Sequence, residues 1–152
     1  SSLLFSRQNL PFLARSESVL NSISKGGYVL AEAVNAKVTL IAAGSEIEIA
    51  MNTQKALTEK GIAARVVSMP STNVFDRQSA AYKAEVLGTA PIAVIEAGMT
   101  DGWYKYIAQA GVKGAVLGMS TFGESAPAGA LFKHFGLTTE KFTEAALALV
   151  TA

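Results

Sequence analysis

The stretch KVTLIAAGSEIEIAMNTQKALTEKGIAARVVSMP, residues 37–70, decides the fold class of this chain. It opens with an apolar, partly β-branched run, residues 37–44, that stops at glycine as a buried strand does. Residues 45–61 then place apolar side chains at helical spacing and end at Gly61. A second apolar run follows over residues 62–70. Because both runs are apolar throughout rather than alternating, they predict parallel strands in a sheet that is buried on both faces.

The same alternation continues to the end of the chain. Two further apolar runs predict strands over residues 91–98 and 114–123. Strands that alternate with helices favour right-handed crossovers, and so they predict an α/β fold, a three-layer α/β/α sandwich. The remaining predicted helices cover residues 75–88, 101–107, 126–136 and 138–150.

The segment ahead of residue 37 departs from this rhythm. Residues 9–27 show no clean helical stripe and resemble a linker. Residues 28–34 (YVLAEAV) predict a short strand, which only Asn35 and Ala36 separate from the next one. Since so short a link cannot carry a parallel crossover, this strand is expected to run antiparallel at an edge of the sheet. The sheet is therefore predicted to have five strands, mostly parallel, with the first antiparallel.

Composition narrows the class of protein. The chain has 152 residues, about one domain, and half of them are hydrophobic. Its net charge of +1 gives no electrostatic reason to expect nucleic acid or an anionic membrane surface. It has no cysteine and a single histidine, which argues against thiolate and histidine-rich metal sites. With no long apolar run and no signal-peptide pattern, we expect a soluble, cytoplasmic domain.

Ligands of open α/β sheets bind beyond the carboxyl ends of the strands. Two of these ends carry small or acidic residues, Gly44–Ser45 and Glu96–Gly98. Ser45 with Glu48 fits a helix-capping box, which we favour over an anion site because no phosphate-binding glycine motif is present. Glu96 is either a general base or, in the favoured interpretation, a hydrogen-bonded structural carboxylate, since no partner nucleophile is identifiable.

Three other features have structural interpretations that we favour. His134 is expected to cap a helix C-terminus or to be solvated. The aromatic stretch Trp103–Tyr106 is typical of a core or a subunit interface rather than a pocket wall. Ser125 is expected to be an N-cap, with Pro127 in the first turn of a helix. The residues alone therefore predict a domain without an assembled catalytic set.

A series of short strings nevertheless resembles the C-terminal third of the transketolase family, and the resemblance covers essentially all 152 residues. Pyruvate dehydrogenase β subunits and deoxyxylulose-phosphate synthases share the domain fold, but these strings are not expected together in them. The strings are SRQNLP (6–11), GGYVL (26–30), AAGSEIEIA (42–50), ARVVSMPS (64–71), FDRQSAAYKAEVL (75–87), IEAG (95–98), WYKY (103–106) and FGESAP (122–127).

The resemblance implies an enzyme of the pentose phosphate pathway that transfers a two-carbon ketol unit between sugar phosphates. Such an enzyme is a homodimer that uses thiamine diphosphate and Mg or Ca. No string here matches the motifs that bind that cofactor, so N-terminal domains absent from this chain would hold it. The isolated piece is expected to be an inactive structural and assembly domain with no catalytic, cofactor-binding or metal-binding residue. The alternative is a stand-alone small-molecule-binding or interaction module of the same fold.

The resemblance also implies a division of the chain. Residues 1–9 would be the severed end of the preceding pyrimidine-binding domain, residues 10–26 an interdomain linker, and residues 27–152 the C-terminal domain. Arg7 matches the family arginine that contacts the substrate phosphate. A guanidinium suits this role because it offers a planar, permanently charged fork to phosphate oxygens. An ordinary interdomain salt bridge is the alternative for Arg7.

The strand order that the resemblance implies is 1-3-2-4-5. This order makes the strands at residues 37–44 and 91–98 neighbours. It therefore places Gly44 and Ser45 beside Glu96 and Gly98, at the switch point of the sheet, where a ligand would bind. These four residues form the candidate crevice.

Overall fold

The computed structural model describes residues 8–151, which form a five-stranded sheet covered by helices on both faces. The strand order is β1-β3-β2-β4-β5, with β1 antiparallel to β3 and all other pairs parallel. The predicted mixed sheet with an antiparallel first strand at one edge is thus confirmed. The strands are β1 (Tyr28–Ala31), β2 (Val38–Ala42), β3 (Ala64–Ser68), β4 (Ile92–Met99) and β5 (Gly114–Met119).

Seven α-helices lie within the described residues, and six of them, all except α1, divide between the two faces of the sheet. Helices α2, α6 and α7 pack on one face, and α3, α4 and α5 pack on the other. None of the helices within residues 8–151 has the length and apolar character that crossing a bilayer requires. The helices are α1 (Glu17–Ile23), α2 (Ile47–Glu59), α3 (Thr72–Asp76), α4 (Ala80–Leu87), α5 (Tyr104–Ala110), α6 (Ala128–His134) and α7 (Thr139–Thr151).

The central strand β2 explains why its sequence is apolar throughout. Leu40 points into the core on the side of α2 and α7, where it meets Leu57 and Phe142. Ile41 points the other way, into the core that contains Phe75 and other side chains of α3 to α5. All five residues of β2 are buried. A Leu or Ile side chain contributes about 1.5–3 kcal/mol when it is fully buried, so both layers stabilise the sheet.

The first strand is shorter than predicted. It ends at Ala31 rather than Val34, after a register shift between Val29 and Ala31. The chain then turns through Asn35, which has a φ of 54°. The predicted antiparallel direction is correct, and only the length of the strand was wrong.

Helix boundaries differ from the predictions in three places. The predicted helix over residues 75–88 is two helices, because Ser79 accepts a hydrogen bond from the Tyr82 N–H at 3.2 Å and starts α4 anew. The predicted linker contains α1, which begins at the N-cap Ser16. The cap of α6 is Pro127 rather than Ser125, since the helix starts only at Ala128.

Candidate functional site

The sheet register brings three strand ends together at one edge. Ala42 pairs with Ser68 of β3 and with Ile95 of β4, so the residues that follow these strands lie side by side. The chain leaves β2 through α2 toward β3 on one face, and it leaves β4 through α5 toward β5 on the other. The two connections diverge between β2 and β4, which is the switch point at which α/β sheets bind ligands.

Ser45 and Glu46 lie in a 3₁₀ turn, Gly44–Glu46, that leads from β2 into α2. The Ser45 hydroxyl donates to Glu46 Oε1 at 2.7 Å. The N-cap of this turn is Ala43, which makes no side-chain capping bond. The predicted capping box of Ser45 with Glu48 is therefore wrong, because the extra turn places Ser45 inside the helical segment rather than ahead of it.

Glu46 is only 3% exposed, although it is a carboxylic acid. Burial raises its pKa, while the Ser45 hydroxyl and the backbone of Glu46 and Ala97 favour the charged form and partly offset the effect of burial. No sequence signal indicates this burial, since a glutamate that follows a glycine and a serine is normally solvated. Glu46 thus adds a buried carboxyl group to the switch point.

Glu96 follows the buried part of β4 and is half-buried. Burial, and then the charge of Glu46, raise its pKa to about 7. No hydrogen bond from another residue of the described chain stabilises its charged form. The expected hydrogen bond to Glu96 is therefore not found among residues 8–151, and burial and the charge of Glu46 raise the pKa of this carboxyl group to about neutrality.

Glu96 and Gly98 line a cavity of about 540 Å³, which we call the carboxyl-edge cavity. Its floor contains Met69 and Trp103, which are 1% and 7% exposed. One wall is the start of α3, where the side chain of Ser71 does not cap the helix. The lining residues used below are Met69, Ser71, Thr72, Asn73, Glu96, Gly98, Trp103 and Lys105.

Gly44 and Ser45 line a different cavity of about 550 Å³, which we call the linker cavity. The chain from Leu10 to Leu13 forms its other side, together with Arg15 and Tyr28. Arg15 Nε donates to the Tyr28 hydroxyl at 3.1 Å and holds this segment against the sheet. The structure thus places all four predicted crevice residues at one edge of the sheet but divides them between two cavities.

Lys105 closes the carboxyl-edge cavity on the side of α5. Its ammonium donates to Asp76 Oδ2 at 2.6 Å, and the Tyr106 hydroxyl donates to Asp76 Oδ1 at 3.0 Å. Burial alone would raise the pKa of Asp76, but the bonds from Lys105 and Tyr106 hold it below its usual value. Asp76 therefore forms a salt bridge with Lys105 and partly neutralises its charge.

The remaining predicted residues have mainly structural positions. Trp103 and Tyr106 are buried in the core, as expected for this aromatic stretch, but Trp103 also lines the carboxyl-edge cavity, so the expectation that the stretch forms no pocket wall is wrong for Trp103. His134 ends α6, where its ring contacts Phe135 with ring centroids 4.8 Å apart. Within residues 8–151 no group of three or more metal-ligating side chains is present. Arg7 lies outside the described residues.

Sequence reasoning missed a set of exposed apolar side chains around the same edge. Phe12 beside the linker cavity is 90% exposed, and Phe122 in the loop after β5 is 97% exposed. Near the end of β4, Met99 is 59% exposed and Tyr104 is 50% exposed. Covering these side chains on another surface would remove apolar area from water. The sequence signal for their exposure was weak, because these residues are scattered among polar ones.

Comparison with known proteins agrees with this geometry. Residues 26–138 match the family model described as transketolase-like TK C-terminal domain. The chain is 50% identical over 153 residues to transketolase 1 of Vibrio cholerae serotype O1, covering 99% of this chain and 23% of that protein. It is also 50% identical over 143 residues to transketolase 1 of Escherichia coli K12, covering 92% of this chain and 21% of that protein.

Solved structures show the same relationship. A Pichia stipitis transketolase complex with sedoheptulose-7-phosphate superposes with a TM-score of 0.83 at 38% identity, covering 95% of this chain and 20% of the other. A split-gene transketolase, described as an inactive β4 tetramer, gives a TM-score of 0.69 at 28% identity, covering 95% of this chain and 48% of the other. The chain thus spans about a quarter of the length of its curated relatives, less than the expected third. By family model, sequence and fold, this chain belongs to the family of transketolase C-terminal domains.

Proposed function

We propose that this chain is the C-terminal domain of a transketolase and serves there as a structural and assembly domain. The parent enzyme would transfer a two-carbon ketol unit between sugar phosphates, in the cytoplasmic pentose phosphate pathway. The observation that carries this proposal is 50% identity across almost the whole chain to a transketolase about four times as long. The Pichia stipitis relatives, whose complexes contain sugar phosphates, support the substrate class.

The chemistry of the parent needs parts that we assign to residues outside this chain. Thiamine diphosphate supplies the carbanion chemistry when it is bound, and Mg or Ca holds its diphosphate. Glu96 has a pKa suited to proton transfer, but it makes no hydrogen bond to the Ser71 or Thr72 hydroxyl in its cavity, and Lys105 is paired with Asp76. The domain is therefore proposed to contribute no catalytic group and to be inactive alone.

The assembly role rests on the exposed apolar side chains at the carboxyl edge. Phe12 and Phe122 are almost fully exposed. Covering either of them would contribute about 1.5–3 kcal/mol, which favours docking on another surface. We propose that the surface around Phe12 and Phe122, which do not line the carboxyl-edge cavity, packs against the remaining domains of the parent, which functions as a homodimer.

We further propose that Arg7 binds the phosphate of the sugar substrate. The support is its position in the SRQN string of residues 6–9, since a guanidinium forms charge-assisted bonds with phosphate oxygens. Bound in this way, the remote phosphate would orient the sugar for transfer. Residues 1–9 would then belong to the preceding domain, and residues 10–26 would link it to this one.

The test is ketol transfer by the full-length parent, with fructose 6-phosphate or fructose as donor. Wild-type activity would support the family function, and Arg7→Ala should lower kcat/KM for the phosphorylated donor by about one to two decades. Fructose should be much less affected. Arg15→Ala is a matched control, because Arg15 bonds to Tyr28 and the Leu13 carbonyl and should not discriminate between the donors. Equal losses on both donors for Arg7→Ala would show that Arg7 is structural.

A further inference from the structure

We propose that the carboxyl-edge cavity is a binding site for a small polyhydroxylated amine, whose ammonium group binds Glu96 and whose hydroxyl groups face the start of α3. This site goes beyond the assembly role and does not depend on the activity of the parent. Three separate features of the described residues support it: the position of the cavity, the free carboxyl group of Glu96, and the polar wall at Ser71–Asn73.

The position of the cavity matches that of ligand sites in related architectures. It lies beyond the carboxyl ends of β2, β3 and β4, where the chain connections diverge. Its volume of about 540 Å³ falls within the range of small-molecule sites. Met69 and Trp103 give it an apolar floor, against which the carbon chain of a ligand can pack.

Glu96 determines the charge of the ligand. Its carboxyl group has no hydrogen-bond partner in the described chain, and Glu46 adds a buried carboxyl group behind it. A ligand ammonium would give Glu96 a charge-assisted bond and would relieve the repulsion between the two carboxylates. A ligand anion would contact the Glu96 carboxylate and be repelled by it, while Lys105 is already bound to Asp76. The site therefore selects a cation over an anion.

The hydroxyl groups of the ligand are assigned to the opposite wall. Ser71, Thr72 and Asn73 follow β3 and line the cavity with two hydroxyls and an amide. Ser71 and Thr72 are partly exposed. Within the described residues, no side-chain nitrogen or oxygen atom is both buried and without a hydrogen-bond partner. These groups are therefore accessible from the cavity, and they offer both donors and acceptors. Such a wall fits neutral hydroxyl groups rather than a second charge.

The experiment is an NMR titration of the 152-residue chain with a matched pair of probes, glucamine and sorbitol. The two compounds differ only by an amine in place of one hydroxyl. Glucamine should bind at least about tenfold more tightly than sorbitol and should shift the amide resonances of Asn73, Glu96 and Gly98. Glu96→Gln should remove this preference while the rest of the spectrum stays unchanged. Glu48→Gln, which changes a carboxylate outside the cavity, should preserve it.

The pH dependence provides a second readout. The charged groups near Glu96 are Glu46 from the 3₁₀ turn, whose charge raises the pKa of Glu96, and Lys105 from α5, which lines the same cavity. Since the pKa of Glu96 is about 7, glucamine affinity should increase as the pH rises through that value, and sorbitol affinity should not. Equal affinities for the two probes, shifts confined to other surfaces, or no shifts at about 10 mM glucamine would overturn the proposal.

Discussion

Replacing Glu96 with Gln should stabilise the chain at about pH 8 and leave its stability unchanged at low pH. The pKa of this carboxyl group is about 7 in the folded chain, because burial and the charge of Glu46 disfavour its ionised form, against an ordinary value of 4.5. As the pH rises through 4.5, the unfolded chain loses this proton while the folded chain keeps it. Stability therefore falls until about pH 7 and stays lower above it. Glutamine stays uncharged throughout and avoids this loss.

The size of the effect follows from the difference between the two pKa values. A shift from 4.5 to about 7 would correspond to somewhat over 3 kcal/mol if it applied in full. Glu96 is only half-buried, however, so solvent screens its charge, and we expect about 1–2 kcal/mol above neutral pH.

Urea denaturation at a series of pH values measures this difference. The free energy of unfolding of Glu96→Gln minus that of the wild type should rise between pH 4.5 and about 7 and then level off. Glu59→Gln, which changes an exposed carboxylate at the end of α2, is the control and should give a flat difference. A difference that does not change with pH, or a variant less stable than the wild type at about pH 8, would refute the reasoning.

Two further predictions concern the stability of the fold away from Glu96. Gly26→Ala should destabilise the chain by at least about 2 kcal/mol in urea denaturation. The φ of Gly26 is 84°, and an added Cβ would lie 2.5 Å from the backbone oxygen of Ser71 and from the backbone nitrogen of Phe75. Gly61→Ala, with φ of 74° and no atom within 4 Å, should cost only about 1 kcal/mol, and equal costs would contradict the steric explanation. Arg65→Ala should cost about 1–2 kcal/mol and increase hydrogen exchange in β1, because Nε and Nη2 bind both carboxylate oxygens of Glu32 at 2.9 and 2.8 Å. Lys141→Ala is the control, because it removes an exposed ion pair and should cost less than about 0.5 kcal/mol. If Arg65→Ala cost no more than Lys141→Ala, the two bonds from Arg65 to Glu32 would add nothing to stability.

The sheet could be predicted from the sequence because its signals are local. Strand β2 is apolar at every position, since one set of its residues faces α2 and α7 and the other faces α3 to α5. The direction of β1 followed from a link too short for a crossover. Tertiary context did not have to correct either inference.

Short helices were harder, because capping and packing rather than periodicity decide them. Helix α1 is only seven residues long and contains no buried residue, so its few apolar side chains form a pattern too short to detect. The break between α3 and α4 depends on Ser79, whose hydroxyl accepts the Tyr82 N–H in the folded chain but looks like an ordinary helical residue in the sequence. The 3₁₀ turn Gly44–Glu46, because of which Ser45 is not the predicted N-cap, likewise depends on local geometry rather than on periodicity.

The position of the candidate site was predictable, but its division into two cavities was not. The strand order that the family resemblance implies brings Gly44, Ser45, Glu96 and Gly98 to one edge. It did not predict that the irregular segment Leu10–Leu13 would enclose the first two in a separate cavity, since that segment has no periodicity. The burial of Glu46 was equally hidden, because it depends on how the turn after β2 packs against β4.

Glu96 therefore connects stability with the proposed binding site. A carboxyl group that is half-buried without a hydrogen bond, next to a second carboxyl group, destabilises the fold at neutral and higher pH. Glutamine fills nearly the same space without that penalty, so a purely structural requirement at this position would favour glutamine. If Glu96 instead holds a cation, the same substitution should stabilise the chain and abolish the preference for glucamine over sorbitol, as binding residues often reduce stability. The two measurements are independent, and only a ligand-binding role for Glu96 predicts both results together.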